Sequence, residues 1–474
     1  MSTEVVAPVR GAAPRLPART WGEELRAGLS LAWPLIVAQL AQNLLFTTDV
    51  VLMGRLGPDY LAAGTLATAY MIPLQLLGAG IVGAVAPLVA QARGRRDIKA
   101  VRRVVRQGFW VTILVASLLM PVVLSMRSLY AALGQDAALL DLSQTYIEAG
   151  AWMLYPAMAT MVVRAFLSSF EATRVILVVT VIGVMFNIVA AWALIFGELG
   201  MPRMELRGAA LSTGITHMVM FLALLFYVLQ HRKLKRFNIL VRFWKPDWSR
   251  FRQIFRIGLP IGLTIAAEVG IFSAAAFLMG WLGTEEVAAH AVALQLTATS
   301  FMVPLGMGMA ATVRVGIAYG RGDAGGVHRA GWTNILLGTG FMVVTCTLFL
   351  TLPGPLVAIF IDTSKPENAA VLSLATGYLV IAGLFQIFDG AQGVANHALR
   401  GLSDTRIPML IAIVGYWVIG LPVAWVLGFE FGLGGTGVWI GLATGLGLNA
   451  IMLVSRFALR ERLGLMKDMV PQPH

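Results

Sequence analysis

Charge is scarce in this chain. Of its 474 residues only 13% are Asp, Glu, Lys or Arg, against roughly 25% in an ordinary soluble domain, and 58% are hydrophobic. That balance excludes a globule surrounded by water. The single cysteine, Cys346, lies in the apolar run 342–352, so a disulfide framework and a Cys-based metal cluster are both excluded. It reads as a small buried apolar side chain. No Gly-x-x-x-x-Gly-Lys-Ser/Thr phosphate loop is present, which leaves ATP hydrolysis without support, and no paired Asp motif offers a metal-bound pyrophosphate site. The chain is therefore not read as an enzyme. Residues 1–20 contain Pro8, Pro14, Pro17, Arg10, Arg15 and Arg19 but no apolar core, and read as a disordered tail rather than a cleaved signal peptide.

What the chain has in abundance is apolar sequence, with a mean hydropathy of +0.78 over its whole length. At ~20 residues per span this length accommodates about 12 helices and leaves little for a soluble domain. Apolar runs between charge clusters fall near 28–53, 61–91, 104–125, 143–170, 175–197 and 207–230, then near 254–279, 287–320, 331–352, 369–399, 408–428 and 435–457. Runs of this length do not match the short alternating strands of a membrane barrel. Pro34, Pro73, Pro87, Pro156, Pro260 and Pro304 fall within them, and several of these prolines kink helices longer than the bilayer is thick.

The net charge of +12 would suggest nucleic acid in a soluble protein, but orientation explains it better here. With twelve spans, all but five of the 36 Lys and Arg fall on the side that carries both termini, the exceptions being Arg55, Arg127, Arg203, Arg207 and Lys365. The positive-inside rule then places both termini in the cytoplasm. The dense basic segments 93–106 and 232–256 are read as topogenic and headgroup-facing, with no nucleic-acid partner.

The chain also repeats itself. A shift of 226 residues aligns Leu52-Met53-Gly54-Arg55-Leu56-Gly57 with Leu278-Met279-Gly280-Trp281-Leu282-Gly283, Pro34 with Pro260, and Gly94-Arg95-Arg96-Asp97 with Gly320-Arg321-Gly322-Asp323. Near a shift of 232, Thr173-Arg174 matches Thr405-Arg406. The unit is six helices, and because six is even the copies share one orientation, related by an axis along the membrane normal. The expected architecture is all-α and integral to the membrane, with 12 transmembrane helices in two pseudo-symmetric six-helix lobes around a central cleft. Its parts are a cytoplasmic tail (1–27), an N-lobe (28–230), a cytoplasmic linker (231–253) that tethers rocking lobes, a C-lobe (254–457) and a second cytoplasmic tail (458–474).

Ionisable groups inside such spans carry the most information, because burying one at bilayer depth costs at least ~2.5–3.5 kcal/mol. Asp49 lies between Leu44-Leu45-Phe46 and Val50-Val51-Leu52, Glu268 falls eight residues after Pro260, and Asp389 ends Leu384-Phe385-Gln386-Ile387-Phe388. Glu268 and Asp389 belong to the same lobe, where a pair of carboxylates can share a proton or coordinate Na⁺ through oxygen without a further cofactor. Across the repeat Glu268 aligns with Gln42 and Asp49 with Ala275, so the lobes share a fold and not a site. Asp49 is left to a second ion or to a cationic substrate.

Gln42, Asn43, Asn187, Thr213, Gln295 and Gln386 are read as helix-to-helix hydrogen bonders worth ~0.6 kcal/mol each. His217, His290 and His397 are too scattered for a zinc site and are read as separate, satisfied histidines. Arg164 and Arg400 are read as helix-end residues. The 22 Met, 23 Phe and 12 Trp, most of which must face lipid or core, would also suit a soft cleft for lipophilic cations.

Four segments together resemble the multidrug and toxic compound extrusion (MATE) transporters, in particular the NorM-like bacterial branch. These are Ala32-Trp33-Pro34-Leu35 leading to Asp49-Val50-Val51-Leu52-Met53-Gly54-Arg55-Leu56-Gly57; Gly258-Leu259-Pro260 leading to Glu268; Phe385-Gln386-Ile387-Phe388-Asp389-Gly390-Ala391-Gln392 followed by Ala398-Leu399-Arg400-Gly401; and Tyr416-Trp417-Val418-Ile419-Gly420-Leu421-Pro422. The resemblance covers nearly the whole chain. It implies a V-shaped cleft between the lobes and export of cationic, lipophilic compounds across a bacterial inner membrane in exchange for Na⁺ or H⁺, with a monomer as the working expectation. It further implies that Glu268 and Asp389 form the C-lobe cation site and that Asp49, with Asn187 as neighbour, forms the N-lobe site. Ala191 stands where NorM-like proteins usually carry a second asparagine, which weakens an ion site there. The rival reading is a flippase for lipid-linked oligosaccharides, which would need an Arg-lined cleft for phosphates.

Overall fold

A computed structural model of the protein describes residues 20–362 and 365–469. The expected tail over residues 1–19 and the closing residues 470–474 lie outside the described residues. Twelve helices are long and apolar enough to span a bilayer: α1 (Trp21–Leu56), α2 (Pro58–Gly94), α3 (Ile98–Leu124), α4 (Ala137–Ser169), α5 (Thr173–Phe196), α6 (Glu205–Gln230), α7 (Trp248–Leu282), α8 (Thr284–Gly320), α9 (Ala324–Thr351), α10 (Pro366–Gly401), α11 (Arg406–Glu430) and α12 (Gly434–Ala458). No strand occurs among the described residues.

Several helices outrun their apolar segments because hydropathy marks the bilayer while capping marks the end. Helix α1 starts at Trp21, inside the segment read as a tail, where Thr20 and Glu23 form a reciprocal capping box. Asp247 caps α7 by accepting from the Arg250 N–H at 3.2 Å, seven residues before its apolar run.

The internal repeat is visible in backbone geometry. Gly57 and Gly283 hold φ values of 138° and 147° between the first two helices of each copy. Only glycine adopts that conformation readily. Arg96 and Gly322 take left-handed φ of 59° and 73° just before Asp97 and Asp323, which cap the third helix of each copy. Glu171 and Ser403, at 60° and 62°, occupy matching turns after the fourth helix of each copy.

Helices α1–α6 pack mainly on one another, as do α7–α12, and α1 and α2 meet α7 and α8 along the seam between the two sets. Among the described residues, the buried core that the two sets share lies toward the face that bears the basic segments, where Ile254, Ile257 and Ile261 of α7 also join the core of the first set. There Leu31, Ala32 and Ala90 join Ala310, Ala311, Ala395 and Phe457 in one cluster. The cluster on the opposite side, around Ile271, Tyr378, Phe385 and Trp439, draws on α7–α12 alone. Large apolar side chains such as Val178, Ile182, Met185 and Phe277 remain exposed on the perimeter, where a bilayer would cover them.

Close approach at the seam depends on small residues. Gly258 and Gly262 on α7 face Ile81, Leu77 and Gly80 on α2, and a Cβ on Gly258 would stand 2.0 Å from the Ile81 carbonyl oxygen. Replacing Gly258 by Val therefore must push two backbones apart. Such overpacking is expected to lower stability by roughly 1–3 kcal/mol, read as a lower melting temperature in detergent. Unchanged melting would show that the seam yields freely.

The segment between the lobes is docked and not a free tether. Arg102, Arg106 and Trp110 on α3 donate to the carbonyls of Phe237, Arg242 and Phe243 at 2.8, 3.0 and 3.0 Å. Phe237 and Ile239 are buried. At the other end of the chain, Arg460 is buried against α9 through His328, 2.9 Å away.

Candidate functional site

In the C-lobe, α10 sets Asp389 and Gln392 three residues apart on one face, and α7 brings Glu268 to the same point. Gln392 Nε2 donates to Asp389 Oδ1 at 3.1 Å and to Glu268 Oε1 at 3.4 Å. One amide thus bridges two carboxylates from different helices. Asp389 and Gln392 are buried, while Glu268 is half-buried. Toward the start of α10, Gln386 accepts from Ser300 and Thr345, both at 2.8 Å, and ties α8 and α9 to α10 as the sequence suggested.

Helix α11 closes the site by an irregular route. Residues 414–420 form a π-helical stretch that presents Tyr416, buried, within electrostatic reach of both carboxylates. The neighbouring Trp417 donates its indole N–H to the carbonyl of Ala267, 3.1 Å away, and so holds α11 against the turn of α7 that carries Glu268. Such π stretches recur where a helix must re-aim side chains at a site.

In the N-lobe, Thr213 on α6 donates to Asp49 Oδ2 at 2.6 Å, and Asn187 on α5 approaches the same hydroxyl at 3.5 Å. The family resemblance implied Asn187 as the neighbour of Asp49, and the structure places Thr213 between them. Asp49 Oδ1 and Asn187 Oδ1 are both buried without a hydrogen-bond partner. Two unpartnered buried oxygens on residues that both meet the Thr213 hydroxyl fit an oxygen-seeking cation. Ala191 is fully buried and adds no polar atom.

Two sequence readings are corrected here. Arg164 is not a solvated helix-end residue. It is buried inside the N-lobe and donates to Gln42 Oε1 at 3.0 Å and Gln39 Oε1 at 3.1 Å. Nor is His290 satisfied, for neither ring nitrogen has a partner and the ring lies edge-on to Trp439. Arg400, at the end of α10, lies 3.4 Å from His397 and within electrostatic reach of Glu268. Among the described residues no three His, Cys, Asp or Glu converge as a metal cluster. Sequence reasoning missed the roles of Gln392, Tyr416 and Thr213. Gln392 left one signal, its position three residues after Asp389.

The MatE family pattern matches residues 34–193 and 260–426, one stretch in each lobe. The chain belongs to the MatE family. Among its MatE relatives, a probable multidrug resistance protein NorM of Brucella suis biovar 1 (strain 1330) is 44% identical over 442 residues, 93% of this chain and 94% of that protein. A protein of the same name from Mesorhizobium japonicum is 42% identical over 452 residues, covering 95% and 97%. The fold matches an outward-facing multidrug resistance MATE family transporter with a TM-score of 0.84 at 20% identity, over 94% of this chain and 98% of that one. It also matches the eukaryotic MATE transporter AtDTX14, with a TM-score of 0.83 at 19% identity over 95% and 100%. The matched relatives are thus named for multidrug resistance, and the solved structures that share the fold are MATE transporters.

Proposed function

We propose that the protein is a secondary active multidrug exporter, exchanging cationic, lipophilic compounds for Na⁺ or H⁺ by alternating access. The observation that carries this is the pair Glu268 and Asp389, joined by Gln392 within the span region of one lobe. Two carboxylates in a low-dielectric interior favour an arriving cation, and the seam packed toward the basic face describes a molecule shut on one side. That face is cytoplasmic in this reading, by the positive-inside rule, in a bacterial inner membrane. A cation entering from the far side would reach Glu268 and Asp389, and drug and ion would displace each other. Reciprocal linkage requires each to weaken the other's binding by the same factor. Asp49, with Thr213 and Asn187, serves a second ion or the cationic group of the substrate. No resident cofactor is needed beyond the coupling ion.

Ethidium efflux from proteoliposomes, with Na⁺ and pH gradients imposed separately, tests the reading. One gradient should drive uphill efflux. No flux under either gradient would remove the exchange proposal. Exchanging Gln392 for Leu should raise the KM for the driving cation about tenfold with little change in kcat, since a hydrogen bond to a charged group contributes ~1.5–3 kcal/mol. An unchanged KM would remove Gln392 from the site. The flippase reading gains little, because Arg164 and Arg400 are engaged with glutamine and histidine inside separate lobes.

A further inference from the structure

Arg164 is used by neither carboxylate site. Its guanidinium is buried at membrane depth, and among the described residues it makes no ion pair. Gln39 and Gln42 on α1 supply its only hydrogen bonds, both through neutral amide oxygens, and its Nε is buried without a partner. Charged groups inside a bilayer ordinarily find an opposite charge. The buried Arg314 is paired with Glu24, and the buried Arg106 donates to a backbone carbonyl.

Beside this guanidinium lies a cavity of about 20 Å³, room for one water-sized group, with Gln42, Gln75, Thr160 and His217 among its walls. Met158, Met161 and Met220 supply the apolar part, and no carboxylate lines it. The lining comes from α1, α2, α4 and α6, so the pocket sits in the middle of the N-lobe and is separate from the C-lobe carboxylates. Thr160 Oγ1 already donates to the Pro156 carbonyl at 2.7 Å, so the donors that face this small space are the guanidinium and the glutamine amide N–H groups, a set that receives a monovalent anion.

We infer that the Arg164 pocket of the N-lobe binds one small monovalent anionic group, supplied either by a free halide or by the carboxylate of a zwitterionic substrate. Transport of cations alone gives this arginine no role. The N-lobe then accepts charge of the opposite sign to the C-lobe, and a compound bearing both signs could engage both. That extension to substrates rests on the exporter reading, but the binding test below requires no flux, so the two can fail separately.

The test uses the purified full-length protein at fixed pH and ionic strength. Melting temperature is followed while gluconate is replaced by chloride or bromide, and binding of rhodamine 110, which carries a free carboxylate, is compared with that of its methyl ester, rhodamine 123. If a halide is the ligand, chloride and bromide raise the melting temperature of the wild type and not of Arg164→Gln. If a substrate carboxylate is the ligand, rhodamine 110 binds about tenfold tighter than its ester in gluconate, and the preference vanishes in Arg164→Gln. Arg164→Lys keeps the charge and retains part of either effect. Should Arg164→Gln not fold, diffraction from the wild type in bromide gives the same answer through an anomalous peak within contact distance of the guanidinium. No halide stabilisation together with no carboxylate preference overturns the proposal, as does either effect surviving intact in Arg164→Gln.

Discussion

Substituting Glu268 by Gln is expected to abolish ion-driven efflux while leaving expression and membrane insertion intact. The exchange keeps the shape of the side chain and its contact with Gln392, and removes only the negative charge. What is lost is the ability to hold a cation in a medium where the charge alone costs at least ~2.5–3.5 kcal/mol to place. A corresponding loss of ion affinity is roughly a hundredfold, because every 1.4 kcal/mol is a factor of ten. Asp389→Asn should act alike, and the double variant little worse than either, since the two carboxylates share one amide and act as a unit. The measurement is ethidium efflux and direct cation binding in the same preparation. Full efflux in either single variant would move coupling away from the C-lobe.

The second large effect is expected at the closed side. Arg314 on α8 grips Glu24 on α1 through two hydrogen bonds of 2.8 and 2.6 Å, both side chains buried, and reaches Glu171 at 3.6 Å. Arg93 adds a contact to Glu171, at 3.4 Å, and another to the carbonyl of Ser169. Gln91 on α2 donates to Gly401 and Ser403 at the end of α10, both at 2.9 Å. The Arg314 and Gln91 bonds join the two lobes where the core is already continuous, while the Arg93 contacts hold Glu171 from within the first lobe. Replacing Arg314 by Gln would leave Glu24 buried without its partner, a penalty of roughly 3–5 kcal/mol that disappears once the lobes part and water enters. The equilibrium should therefore shift toward opening at the basic face by two to three orders of magnitude, on the order of the same energy.

Spin labels at the exposed positions Lys99 and Arg406, in a background with the free Cys346 replaced by Ser, would report this directly. The wild type should give one short distance and the variant a longer or doubled one. An unchanged distribution would mean that the ion pair follows closure without helping to hold it.

How much of this was legible beforehand depended on the kind of signal. The twelve spans and the duplication were readable because apolar length and repeated glycine-rich turns are one-dimensional properties. Asp49, Glu268 and Asp389 were readable because a carboxylate in an apolar run has few innocent explanations. Thr213 and Gln392 were not, since a neutral polar side chain in a helix says nothing about its partner. Arg164 was misjudged because it lies five residues before the end of α4, ~7.5 Å along the axis, and helix rotation decides whether such a residue meets water or the lobe interior. The pair of Glu24 and Arg314 spans 290 residues, with Glu24 in a segment assigned to a tail, and only the folded seam brings them together.

The docked connector bears on where motion originates. Because α3 holds residues 237–245 by four backbone carbonyls, the connector is anchored to the first lobe almost up to Trp248, where α7 begins. Chain continuity there is a short strap. If the lobes alternate as proposed, the bending falls within the membrane helices, at the break at Ala84 that divides α2 into Pro58–Gly83 and Val85–Gly94, at the interior prolines and at the π-helical stretch of α11.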